Sequence, residues 1–418
     1  MPVDLLDPYA GNILTKGLGP IRSSVWVREQ LTVVPQMPQG VCEAPREVRL
    51  HHLIIALDAF HIPPGVEGQL YESMDLMLRS CLHRRNPDEQ WIWSNLSGEG
   101  QRRNRPPKPA PAALVDGLSG SGKSDACHGC LGLFKQLIPH ESFPRLVGGL
   151  QQVVWQSAEV PPSGKSGHLA QKLMKVARDT TGERRFDDWL GKANIPDGML
   201  ALNEWLGWAK CHVLGLLHLD EIQNLFKLSP LRQRLKKGAS AEPELAIVED
   251  QVLRWILSVI NSGLPLLVSG TSDGTRALSR RLSTMQRITT GGAHLFDRFV
   301  DPKATDFYKL FLTPLSKLQF VKKPLPVSEE FADLIIELTA GVKRIIIGLW
   351  MAAHRIAFRR GADALTFDDF RLAAATLLAP VAPAVAVLRG TAADKERRYE
   401  DLVKNNDEFW NEFWAARI

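Results

Sequence analysis

The sequence predicts an α/β fold: a parallel sheet with crossover helices, preceded by a small mainly helical region and followed by a helical domain. Three observations carry that prediction. From Ala112 onward, short apolar runs alternate with amphipathic stretches, the pattern of parallel strands joined by crossover helices. A glycine-rich stretch, Gly117-Leu118-Ser119-Gly120-Ser121-Gly122-Lys123-Ser124, stands where the first of those runs turns into a helix. After about Phe307 the strand-like runs stop and helical periodicity takes over.

Composition narrows the class. A chain of 418 residues suits two or three domains, at about 100 to 200 residues each. Apolar content of 44% and charged content of 23% are ordinary for a globular protein and argue against bulk disorder. The net charge of +5, from 51 basic and 46 acidic residues, is a mild excess. Any nucleic-acid contact must therefore come from local clustering. Cys42, Cys81, Cys127, Cys130 and Cys211 are odd in number and unevenly spaced, which points to reduced thiols in a cytoplasmic setting. Met1-Pro2-Val3-Asp4 does not open a signal peptide, and the uncharged run 372–388 is interrupted by Pro380 and Pro383, so no membrane segment is expected.

The elements follow in order. Residues 1–105 form a helical and extended N-terminal region. Its clearest helix is 67–83, where Leu70, Met74, Met77, Leu78 and Cys81 recur at helical spacing. The basic, proline-rich segment 101–111 is a linker. An α/β domain is expected over 106–305, with strands at 113–116, 152–155, 212–219 and 264–269 and helices at 124–137, 168–178, 198–210 and 246–262. Helices at 331–338, 342–359 and 366–378 make a helical lid over 306–380. Residues 381–418 form an interaction tail, in which Phe409, Trp410, Phe413 and Trp414 make a stripe at helical spacing.

The glycine-rich stretch fits G-x-x-x-x-G-K-[ST], a phosphate-binding P-loop. Glycines belong there because backbone N–H groups must approach phosphate oxygens where a Cβ would obstruct the turn. Gly117, Ser119, Gly120, Ser121 and Gly122 shape the cradle, and Lys123 is placed to neutralise the β- and γ-phosphates of a nucleotide. The Ser124 hydroxyl is placed to ligate Mg²⁺, and the helix that follows adds its positive end. ATP and Mg²⁺ are the expected ligands.

The chemistry still needed after Lys123 is supplied by an apolar strand ending in Asp220 and Glu221. Asp220 is read as the second Mg²⁺ ligand and Glu221 as the group that polarises the attacking water. That pair favours ATP hydrolysis over transfer to an acceptor by a P-loop kinase, which lacks a glutamate base here. Thr271, at the end of the next strand, is a candidate sensor of the γ-phosphate. Among Arg276, Arg280, Arg281, Arg287 and Arg298, the first choice for an arginine finger is Arg298 and the second Arg281. Lys343 or Arg344, at the start of a later helix, fits a second phosphate-sensing role.

Other motifs carry less. Cys127-His128-Gly129-Cys130 has no second cysteine pair and is read as structural. A second Ser-Gly-Lys-Ser, at 163–166, lacks the upstream glycine and reads first as an exposed loop. The basic runs 102–105 and 231–237, the latter with Arg232, Arg234, Lys236 and Lys237, read first as solvated faces and second as DNA contacts.

P-loop, acidic strand, sensor strand, arginine and C-terminal helices stand in the order of AAA+ ATPases. Within that group, residues 117–124, His218-Leu219-Asp220-Glu221-Ile222-Gln223-Asn224-Leu225, Leu264-Pro265-Leu266-Leu267-Val268-Ser269-Gly270-Thr271, Thr339-Ala340-Gly341-Val342 and the N-terminal run 78–87 resemble the TniB/TnsC family of transposition regulators. The similarity covers about residues 45–380. It implies an ATP-dependent, self-associating bacterial protein that wraps double-stranded DNA and links a target-selection protein to a transposase. In such rings Lys165 would stand on a channel-facing loop, and the 231–237 run on the side that grips the polymer. The connection 227–244 is longer here than the family usually has, so its DNA-contacting residues do not carry over. Two other readings stay open: a P-loop kinase or small-molecule transferase, and a signalling switch that binds ATP and barely hydrolyses it.

Overall fold

The computed structural model describes residues 6–88, 108–228, 245–279 and 282–390. Nine strands lie among them: β1 (Ala112–Gly117), β2 (Leu137–His140), β3 (Leu150–Val153), β4 (Trp155–Glu159), β5 (Leu216–Asp220), β6 (Phe226–Leu228), β7 (Leu245–Ile247), β8 (Leu266–Gly270) and β9 (Gly292–Phe296). Five of them form one sheet in the order β4-β5-β8-β1-β9. The pairs β1–β8, β5–β8 and β4–β5 are all parallel. β5 and β8 are buried at every position, as strands covered on both faces must be. With the helices between the strands, this is the parallel-sheet α/β fold that the sequence predicts, and helices dominate the chain beyond it.

The chain divides into two compact units. The first comprises Met1–Val27, Val66–Gly117 and Lys123–Leu295, and the second Arg28–Gly65, Leu118–Gly122 and Phe296–Ile418. In the first, the Ser166–Thr181 helix packs its buried Leu169, Ala170, Leu173, Met174 and Ala177 inward and ends on Gly182 at φ +75°, the left-handed stop that glycine takes most readily. The Gly198–Cys211 helix starts at Asp197, whose carboxylate accepts from the Leu200 N–H.

The second unit has its own core. Phe307, Leu315, Phe331, Ile335, Trp350 and Phe370 cluster with Leu53 and Leu57 of the Arg46–Ala59 helix and with Phe60 just beyond it. Arg49 of that helix is buried and forms a fork with Asp363, its guanidinium nitrogens 2.7 and 2.9 Å from the two carboxylate oxygens. Arg49 also donates to the Phe320 carbonyl at 3.0 Å. The Glu329–Thr339 helix begins on a Ser328 cap, and the Phe367–Ala375 helix on a Thr366/Asp369 capping box.

Several elements differ from their expected form. The expected strand 152–155 is two strands, because β3 pairs antiparallel with β2 whereas β4 joins the main sheet. The helix after the P-loop, Lys123–Gly132, stops short of residue 137 because Leu137 already pairs with Val153. The strand expected from residue 212 starts at Leu216: Val213 takes a left-handed conformation, and a Cβ on Gly215 would lie 2.4 Å from the Val154 carbonyl oxygen. The expected helix 246–262 is β7 followed by the helix Asp250–Asn261. Three proposed features lie outside the described residues: the basic run 102–105, the run with Arg232, Arg234, Lys236 and Lys237, and the aromatic stripe of the tail. Arg280 and Arg281 do as well. No single helix among the described residues is long and apolar enough to cross a membrane.

Candidate nucleotide-binding site

The P-loop begins where β1 ends. Gly120 and Gly122 sit at φ +79° and +94°, a region that L side chains rarely adopt, so glycine is required at both turns. Lys123 opens the Lys123–Gly132 helix, is 7% exposed, and donates its Nζ to the Gly117 carbonyl at 2.9 Å. That bond ties the ammonium to the last residue of β1. The Ser121 hydroxyl is buried with no hydrogen-bond partner among the described residues. A buried polar atom without a partner is uncommon, and here it stands in a loop whose glycines leave a cradle free of Cβ atoms. These are features that a phosphate group fits.

Within the second unit, Leu118–Gly122 lies against the start of the Lys343–Arg359 helix. The Arg344 N–H donates to the Gly120 carbonyl at 3.1 Å, and a Cβ on Gly120 would come within 2.9 Å of the Arg344 Cβ. Lys343 is half-buried, with its ammonium 5.9 Å from the Phe299 ring centre, and Arg344 is exposed. Both candidates for the second phosphate sensor are thus brought beside the loop. Arg298 donates to the Ala340 carbonyl at 2.8 Å, at the turn that leads into the same helix. Gly341 in that turn has φ +73°, and a Cβ there would overlap the Phe299 carbonyl oxygen at 1.8 Å.

In the first unit, the acidic end of β5 meets the start of the Lys123–Gly132 helix. The Ser124 hydroxyl hydrogen-bonds the Asp220 carboxylate. Ser269 of β8 donates to Asp220 Oδ1 at 2.5 Å, and the Glu221 N–H donates to the same oxygen at 2.9 Å. Burial alone would raise the Asp220 pKa, but the hydrogen bonds from Ser269, Ser124 and the Glu221 N–H overcome it, so the carboxyl is held below its ordinary value. A carboxylate beside a serine hydroxyl is an oxygen donor set that a Mg²⁺ ion would fit, with Ser124 and Asp220 as the residues that could hold it.

Glu221 follows in a left-handed conformation, φ +57° and ψ +42°, uncommon for a residue with a side chain. A residue without a predicted role sits on it: Gln223, 6% exposed, donates its amide to the Glu221 carboxylate and accepts from the Thr271 N–H at 3.2 Å. Two glycines make room for that amide. A Cβ on Gly270 would lie 2.7 Å from Gln223 Oε1, and one on Gly274 2.6 Å from its Cα. Thr271 is therefore tied to the acidic pair through its backbone, and Gln223 reads both groups at once.

A second unpredicted set runs across the sheet. His218 of β5 bonds Ser157 of β4 and Ser269 of β8, each at 2.8 Å, and the exposed His128 reaches Ser157 at 3.0 Å. Burial pushes the His218 pKa below its ordinary range and keeps the ring neutral. The sequence signal was present: His218 and Asp220 are two apart in a strand and share a face, and Ser269 ends the neighbouring strand. Cys127 and Cys130, by contrast, are buried apart within their helix, Cys127 by Ser269 and Cys130 by the Glu67 carbonyl. Lys165 is exposed at the head of the Ser166–Thr181 helix, on a loop fixed by Gly164 at φ +63° and by the Asn224 amide bonding the Val160 carbonyl at 2.8 Å.

No family model matches the chain, and no curated protein matches it in sequence. Among solved structures it is similar to Drosophila ORC bound to DNA, at 13% identity and a TM-score of 0.40 over 90% of this chain and 72% of that one. It is similar to the Walker-type ATPase of Pyrococcus abyssi at 13% identity, TM-score 0.38, over 66% of this chain and 69% of that one. The RuvB Holliday junction branch migration motor of Thermotoga maritima is also similar, at 14% identity and a TM-score of 0.33, over 72% of this chain and 67% of that one.

Proposed function

We propose that the chain is an AAA+ ATPase that hydrolyses ATP to ADP and phosphate, self-associates on double-stranded DNA, and regulates transposition by linking target selection to a transposase. The observation that carries the ATPase reading is the hydrogen bond between Ser124, last residue of the P-loop, and Asp220, end of β5. It brings the two Mg²⁺-type ligands onto one another beside a buried lysine. Lys123 and the loop amides bind and neutralise the β- and γ-phosphates. Mg²⁺ held by Ser124 and Asp220 would add charge neutralisation on the phosphate oxygens. Glu221, next to Asp220, accepts the proton of the attacking water, and Thr271, tied to Glu221 through Gln223, is the group that senses the γ-phosphate. Lys343 or Arg344 supplies further positive charge by the loop, and Arg298 is the arginine offered to a neighbouring subunit's nucleotide.

DNA binding and the transposition role rest on the sequence resemblance and on the basic segments, with Lys165, Arg232, Arg234, Lys236 and Lys237 as the candidate contacts. The test is ATPase activity with and without duplex DNA, together with electron microscopy of ATP-dependent assemblies. A monomer whose turnover ignores duplex DNA overturns the reading; retention of the transposase encoded on the same mobile element, dependent on ATP, supports its finer part. One observation favours a slow switch as the second reading: the Gln223 amide holds the Glu221 carboxylate, so basal turnover is expected to be low. Transfer to an acceptor, as in a kinase, is disfavoured by the Asp220-Glu221 pair.

A further inference from the structure

The polar side chains under the Lys123–Gly132 helix do not look like isolated core residues satisfied one by one. Up to Asp220 and Gly270 at their ends, β5 and β8 are otherwise Leu and Val, and an apolar residue at 157, 218 or 269 would avoid the desolvation that buried polar groups incur. Ser157, His218 and Ser269 instead form one hydrogen-bonded line across three adjacent parallel strands, with Ser157 and His218 directly paired in register. His218 and Ser269 are 0% exposed.

The direction of that line follows from counting protons. Ser269 has one O–H, and it goes to the Asp220 carboxylate, which accepts only. Ser269 must then accept from His218, so His218 carries its proton on Nε2. With its proton on Nε2, the ring offers Nδ1 as the acceptor, so the Ser157 O–H points at His218. Ser157 in turn accepts from Nε2–H of His128. Every donor along the line aims toward Asp220.

We infer that His218 is a positioning residue for the metal-ligating carboxylate: through Ser269, and with Ser157 fixing its tautomer, it locks Asp220 in the rotamer that faces Ser124. This rests on the nucleotide-site reading above and assigns a role to side chains that reading does not use. Fixed second-layer partners hold a ligating carboxylate in one orientation, and their removal typically weakens metal affinity about 10- to 100-fold.

The experiment titrates MgCl₂ into the full-length protein with bound mant-ATP and follows nucleotide fluorescence. Ser269→Ala is expected to raise the half-saturating Mg²⁺ concentration about tenfold, with mant-ATP affinity in EDTA unchanged. Ser269→Thr, which keeps the hydroxyl, restores the wild-type value, and His218→Leu shifts it in the Ser269→Ala direction. Wild-type Mg²⁺ dependence in a folded Ser269→Ala protein overturns the inference, as does an equal shift in Ser269→Thr, which assigns the effect to packing. Histidine ¹⁵N spectra of the wild type, assigned with His218→Leu, give an independent readout. A proton on Nε2 is expected, and a ring protonated on Nδ1 alone overturns it even if the variants do not fold. If wild-type protein binds no mant-ATP, or Lys123→Ala binds it equally well, the nucleotide-site reading itself fails; these results are separate from a failure of the His218 line alone.

Discussion

Removing the Gln223 amide is expected to release the Glu221 carboxylate, the proposed base. Gln223 is buried and donates to Glu221, and a hydrogen bond to a charged group contributes about 1.5 to 3 kcal/mol. Glu221 is half-buried, so solvent screens part of that energy and the lower figure applies. About 1.4 kcal/mol corresponds to a factor of ten, so Gln223→Ala should raise basal turnover about tenfold if the held form of Glu221 must be undone before water is activated. The assay is steady-state phosphate release at saturating ATP without DNA, with Glu221→Gln as the baseline. KM for ATP should stay the same, because Gln223 touches the acid and the Thr271 backbone and not the P-loop. Stimulation by DNA should shrink by the same factor as the basal rate rises. A basal rate that falls, with nucleotide affinity intact, refutes the argument and makes the Gln223 contact a productive orientation of Glu221 instead.

Other outcomes follow from the same geometry. Lys123→Ala should abolish nucleotide binding, read by equilibrium binding of mant-ATP. Glu221→Gln should bind ATP but not turn it over, trapping an ATP-bound assembly visible by size-exclusion chromatography; normal turnover would remove Glu221 as the base. Arg49→Met should lower stability to denaturant by about 2 kcal/mol, since it leaves the Asp363 carboxylate without its charge-assisted fork. The Arg49 hydrogen bond holds the Asp363 pKa below its ordinary value, so this stabilisation is present above the unfolded carboxylate pKa and is lost as pH falls through the folded one. Acid titrations of stability should therefore be flatter for Arg49→Met. Gly341→Ala should be far more destabilising than Gly361→Ala. Both positions have positive φ, but the Cβ meets Phe299 at 341 and nothing within 4 Å at 361; thermal melts of the two variants decide it.

The parts of the fold legible in the sequence are those in which local pattern and tertiary environment agree. β1, β5 and β8 are short apolar runs because both faces of a central parallel strand are buried, and the P-loop is legible because its glycines answer a backbone requirement that does not depend on the rest of the chain. The Arg46–Ala59 helix was not legible: its buried face includes Arg49, which reads as solvated until Asp363 is known to stand beside it. Residues 212–215 look like strand by composition, yet the left-handed Val213 and the close approach of Gly215 to Val154 make them a turn. Gln223 is not legible on its own, since a lone glutamine after two acids carries no pattern; its role rests on Gly270 and Gly274, whose missing side chains are meaningful only once the three segments are assembled.

The fork between Arg49 and Asp363 joins residues 314 positions apart in the chain. During synthesis, then, the segment that carries Leu53, Leu57 and Phe60 leaves the ribosome long before the residues that cover it. Domains generally complete N-terminal first, but the second unit cannot: its earliest helix must wait, apolar face uncovered, while the whole of the central sheet is translated. A nascent or truncated chain ending before Phe307 would carry that face without the buried residues that cover it, so it is at this stage, and not in the finished protein, that the molecule is most in need of a holdase.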